Sequence, residues 1–147
     1  MIESQALKFV QAIQPGVIKD NAAFTGEVID TLGFNYLTLV FMFGATDIAM
    51  AVLKVTECDT SGGSYTDVDG ADFSSPAALP DADADGLNAG VHINMINRKR
   101  FIKVAATAGD GAAGTYLAAL AVLSRAETVP STAASRGLDA GELIVIS

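Results

Sequence analysis

The clearest run of chemically capable side chains is Asp81-Ala82-Asp83-Ala84-Asp85-Gly86. Carboxylates at alternate positions followed by glycine match the opening half of a calcium loop. The closing half does not follow. His92 stands at the twelfth position, where such a loop needs a bidentate glutamate, and no helical frame surrounds the run. Asp81, Asp83 and Asp85 are therefore only a weak calcium candidate, and the expectation is a solvated acidic loop with no cofactor.

His92 is the sole histidine. It has no second His or Cys at ligand spacing, so zinc has no donor set. Val91, Ile93 and Met95 alternate with it, which places it on the polar face of a strand. No Gly-x-Ser-x-Gly turn accompanies it to form a nucleophile. Cys58 lacks a CxxC partner and reads as a buried thiol. Gly109, Gly111 and Gly114 lack the Lys-Ser/Thr of a phosphate loop. Arg98-Lys99-Arg100 forms the one basic cluster, and reads as a hairpin tip able to pair with a neighbour's acidic loops. No acid–base or nucleophile set stands at readable spacing, so an enzyme is not expected.

The bulk properties turn attention from catalysis to packing. The chain has 147 residues, enough for one domain, and half of it is apolar with no Trp. Only 18% is charged, below the usual ~25%. That leaves more apolar surface than a single small core consumes, and subunit contacts are its ordinary destination. The net charge of −8 disfavours nucleic acid, because binding there depends on Lys and Arg meeting phosphates. A lone cysteine excludes an internal disulfide framework. Met1 to Gln5 lack the basic start of a signal peptide. Tyr36 to Leu53 approaches the length of a membrane span, but Asp47 lies within it and Gly44-Ala45-Thr46-Asp47 reads as a turn between strands, so no membrane partner is expected.

The elements that would position these residues are strands. Residues 1–24 read as an N-terminal arm lying on a neighbour, with Phe9, Val10 and Ile13 as contact residues, or equally as a first strand of the same sheet. Residues 25–147 read as one domain. Strands are expected at 26–31, 36–43, 49–57, 91–95, 101–107 and 143–146, with 36–43 apolar on both faces. Tyr116 to Leu123 has helix-forming composition, but it follows a glycine-rich turn with no N-cap, which favours a central strand. Residues 58–90 form a long polar loop with one short strand near Tyr65 or Phe73, both assigned to an interface. The expected fold is an all-β antiparallel sandwich, jelly-roll-like.

Several phrases then fit together: Thr25-Gly26-Glu27-Val28-Ile29-Asp30-Thr31-Leu32-Gly33-Phe34, Ala49 to Glu57 before a Ser-Gly-Gly loop, Arg98 to Val104, and Gly114-Thr115-Tyr116-Leu117. Over roughly residues 25–130 they resemble the small virion proteins of tailed bacteriophages, some of which are jelly-roll cement or decoration proteins. The resemblance implies a homotrimer that stabilises the capsid from its exterior, with the major capsid protein as partner. It carries no catalytic residues. Arg98, Lys99 and Arg100 join the interface candidates. The alternatives are another phage component (tail, fibre base or head–tail connector) and a glycan- or calcium-binding sandwich.

Overall fold

The computed structural model describes residues 6–74, 79–128, 130 and 132–139. Among them are eight strands: β1 (Lys8–Ile13), β2 (Ile29–Asp30), β3 (Phe34–Thr46), β4 (Val52–Cys58), β5 (Thr66–Asp72), β6 (Asn88–Asn94), β7 (Phe101–Thr107) and β8 (Thr115–Ala126). They make two four-stranded sheets in the orders β1-β8-β3-β6 and β2-β7-β4-β5. Every pairing is antiparallel. The partners nest as β1 with β8, β2 with β7, β3 with β6 and β4 with β5, which is one long hairpin rolled up on itself. That rolled hairpin is a jelly roll.

Alternation builds the core. In β3, Leu37, Leu39, Phe41 and Phe43 turn inward, and in β8 Leu117, Ala119, Ala121 and Leu123 do the same. The second sheet contributes Leu53, Val55, Ile102, Val104 and Ala106. Each large side chain buried this way is worth about 1.5–3 kcal/mol. The buried positions of β8 recur every second residue, so its helix-forming alanines and leucines are overridden by what they pack against.

One expectation changes in detail, and two others become specific. The turn assigned to 44–47 is strand: β3 runs through Thr46, with its register to β8 broken between Phe43 and Thr46, and the chain turns after it. Gly44 is required in that irregular stretch because an added Cβ would lie 2.8 Å from the Tyr116 Cβ. The short strand expected near Tyr65 or Phe73 within 58–90 is β5, which fills the space between those two residues, and β6 begins at Asn88. Within the arm at 1–24, Lys8–Ile13 pairs with β8 as the edge strand of its own sheet, the second of the two readings that the sequence left open. The strand expected at 143–146 lies outside the described residues. No helix among the described residues is long and apolar enough to cross a membrane.

Candidate interaction face

Register decides which residues share a surface. On the outer side of the β1-β8-β3-β6 sheet, one row runs Phe9–Val122–Thr38–His92 across the four strands. The next row is Gln11–Leu120–Val40–Gly90, and a third joins Ala118, Met42 and Asn88. Beyond Thr38 lies Ser124–Tyr36–Asn94. None of these residues is charged. Within these rows Phe9, Val122, Leu120, Val40, Ala118 and Met42 form an uncharged, mainly apolar band interrupted by Gln11 and Thr38, and none of its members is buried. Met42 is 42% exposed and Tyr116, farther along β8, is 44% exposed. Beside them Pro15, Met42, Tyr116 and Ala118 line an open groove of about 220 Å³.

One end of this face is polar and aromatic. Thr38 Oγ1 and His92 Nδ1 are 3.1 Å apart. The Tyr36 and His92 rings lie 6.5 Å apart, and the Arg125 guanidinium sits 5.5 Å from the Tyr36 centroid. These groups engage one another and fix the rim of the apolar band.

The opposite sheet presents another chemistry. Its outer rows carry Asp72–Lys54–Ala105 and Asp67–Thr56–Lys103, with Asp30 beside Phe101 at the edge. Lys54 Nζ donates to Asp67 Oδ2 at 2.8 Å. Arg100 grips Asp30 with two hydrogen bonds of 2.7 Å each, and that contact holds the Asp30 carboxyl below its usual value. The 59–65 loop folds over this face. Tyr65 donates its hydroxyl to the Ser61 carbonyl at 3.0 Å, and its ring lies 5.9 Å from the Lys103 ammonium. Burial raises the Tyr65 phenol above its usual value.

The sequence-derived contact residues separate under this geometry. Phe9 lies on the apolar face, next to Val122. Ile13 is 2% exposed and belongs to the core, while Val10 turns inward opposite Ala121. Phe73 packs edge-on against Phe41 at 5.5 Å. Ile13 is a core residue, and Val10 and Phe73 are partly buried side chains packed against that core. Arg98 faces Glu57 at 3.4 Å without hydrogen-bond alignment, Lys99 donates to Thr66 Oγ1 at 3.2 Å, and Arg100 is held by Asp30, so the basic tip is engaged within the chain.

The acidic run also has internal work. Asp81 Oδ1 accepts the Asp83 N–H at 3.1 Å, and Asp85 Oδ1 accepts the Thr46 N–H at 2.7 Å, tying the loop before β6 to the end of β3. Asp83 is exposed. Among the described residues, no group of three or more His, Cys, Asp or Glu is arranged to hold a metal ion. Asp47, just past β3, accepts the N–H groups of Ala112 and Ala113 at 2.6 Å each, and these bonds lower its carboxyl below the usual range.

The residues missing from the sequence-derived set are Val40, Met42, Tyr116, Leu120 and Val122. Their signal was present as strands apolar on both faces. What the sequence lacked was register, which assigns those side chains to one continuous surface. No family model matches the chain, and no curated protein matches it.

Proposed function

We propose that this chain is a structural virion protein that forms homotrimers and binds the major capsid protein, stabilising a tailed-phage capsid from outside as a cement or decoration protein. The observation that carries the reading is the uncharged apolar band on the outer β1-β8-β3 surface. A chain of net charge −8 that leaves such a band open has a face suited to burial against another protein. The jelly roll agrees with it, since capsid proteins are among the users of that architecture, though lectins and cupins share it.

Size limits how the face is used. A sheet whose four strands hold 6, 12, 13 and 7 residues presents roughly 600 Å² in projection. A standard interface takes about 800 Å² from each partner. Loops at the rim must therefore contribute, and Val17, 75% exposed beside the Pro15 groove, is placed to do so.

The test is sedimentation of the purified chain, alone and with heads assembled from a tailed-phage major capsid protein. A trimer that cosediments with heads in stoichiometric amounts is the expected result. A chain that stays monomeric at ~100 μM, a concentration at which even modest affinities show, and that is left in the supernatant contradicts the proposal.

A further inference from the structure

Four strand edges bound the two sheets, and three are blocked. β2 is two residues long. β5 carries Asp67, Asp69 and Asp72, loses register with β4, and holds Gly70 at φ +77°. Along β1, Gly137 lies against the Phe9 backbone, covering that edge. Short strands, charges, bulges and covering segments are the devices that prevent edge pairing. Among the described residues β6 has none of them: its seven residues are uncharged, contain no proline and keep unbroken register with β3.

The ladder shows which groups are open. The Met95 N–H donates to Asn35 O, and the Phe43 N–H donates to Leu87 O, so odd-numbered residues of this stretch point toward β3. Alternation then turns the N–H and C=O groups of Asn88, Gly90, His92 and Asn94 to the free edge. None of the described residues bonds to them.

We infer that β6 pairs with β6 of a second copy, antiparallel about a two-fold axis at Val91, so that two four-stranded sheets become one. Three features select a second copy. Every group left open on one edge meets its complement on the other in this register, as Asn88 faces Asn94 of the second copy and Gly90 faces its His92. The strand is complementary to itself in size: glycine stands opposite the imidazole, Ala89 opposite Ile93, and amide opposite amide. Finally, an acidic chain can meet its own copy only where like charges are absent, and β6 is the uncharged edge. A two-fold contact is self-complementary by construction. This contact uses the edge and leaves the outer apolar face free, so it stands independently of the capsid reading.

Charge placement tests the register. Asn88→Asp with Asn94→Asp sets carboxylate opposite carboxylate in both symmetric pairs, and is expected to weaken the two-fold association at least about tenfold by sedimentation equilibrium. Asn88→Lys with Asn94→Asp sets opposite charges in the same places and is expected to restore it. Val91→Cys supplies a second reading that does not depend on stability. Across a non-hydrogen-bonded antiparallel pair the Cα atoms stand ~4.5 Å apart, within disulfide range. Mild oxidation is expected to give a covalent dimer, while Cys58, 6% exposed, does not compete. The cross-link is expected to persist in a Leu120→Asp background, which separates this edge from the apolar face. A double aspartate variant that assembles like wild type, a lysine–aspartate variant that fails to recover, or a Val91→Cys chain that stays monomeric on a non-reducing gel overturns the inference.

Discussion

The two outer surfaces of the sandwich rest on the same core and follow the same alternation, yet they differ in what they leave for solvent. On β2-β7-β4-β5 the outward positions carry Lys54, Asp67, Lys103 and Asp72, and two of these close an ion pair within the chain. On β1-β8-β3 the outward positions include Phe9, Val40, Met42, Leu120 and Val122 beside the uncharged Gln11 and Thr38, with Arg125 only at the rim over Tyr36. One face is finished by its own side chains and by a loop folded over it. The other is left unfinished. Strand propensity cannot account for the difference, because both sheets need only their inward residues to fold. The outward apolar band is the surface that the proposed assembly would bury.

Removing what the faces share should have the largest effect. Phe41 is fully buried and packs on Phe73. Phe41→Ala is expected to cost about 3–5 kcal/mol in urea denaturation. It should remove assembly as well as stability, because neither face survives without the core. A chain that still assembles at wild-type strength would mean that the contacts do not need this fold.

The next effect separates the faces. Leu120→Asp places a charge in the middle of the apolar band and is expected to weaken self-association by about thirtyfold or more, the scale of a hot-spot residue. Because Leu120 is only half-buried, folding stability should move by less than about 1 kcal/mol. Ala105→Asp is the matched change on the other sheet, where Lys54 is its cross-strand neighbour. It should leave association unchanged. Equal losses from the two variants would erase the distinction between the surfaces.

Acid sharpens the comparison from the charged side. Asp47 is held low by the N–H groups of Ala113 and Ala112, and Asp30 by Arg100. A carboxyl with a depressed folded pKa stabilises fully above its unfolded value of about 4, and that stability is lost as pH falls through the lower folded value. Stability should therefore fall below about pH 4, and Asp47→Asn should flatten the fall, measured as urea midpoint against pH. The rows of the apolar face contain no carboxylate, so protonation of Asp30 and Asp47 should not itself change association while the fold holds. The smallest effect belongs to Lys54→Met. Its pair with Asp67 is solvent-exposed, and such pairs contribute little, so melting temperature and assembly should both stay near wild type.

How much of this was legible in the sequence follows from what each element depends on. β6 and β7 alternate cleanly, and β3 announces itself by being apolar at consecutive positions. β5 was nearly invisible, because Thr66-Asp67-Val68-Asp69-Gly70-Ala71-Asp72 has poor strand propensity and is held by only two inward residues, Val68 and Ala71. The contact surface was half legible. Doubly apolar strands pointed to burial on both sides, but pairing over long sequence distances decides that Phe9, Val122 and Val40 adjoin. The packing of Ile13 and Phe73 on the core was not legible because they lie at strand margins, where a core residue and a contact residue look alike. The pairing of the basic tip within the chain was hidden for a related reason. Its partners Asp30 and Glu57 are far away in the chain, and only the rolled hairpin brings them beside it.

The unfinished face is the centre of the account, and cryo-electron microscopy of the assembled particle examines it most directly. Density from a neighbouring chain should cover Phe9, Val40, Leu120 and Val122, with the Lys54–Asp67 surface open to solvent. A map in which that apolar band faces solvent while the charged sheet makes the contacts would contradict it.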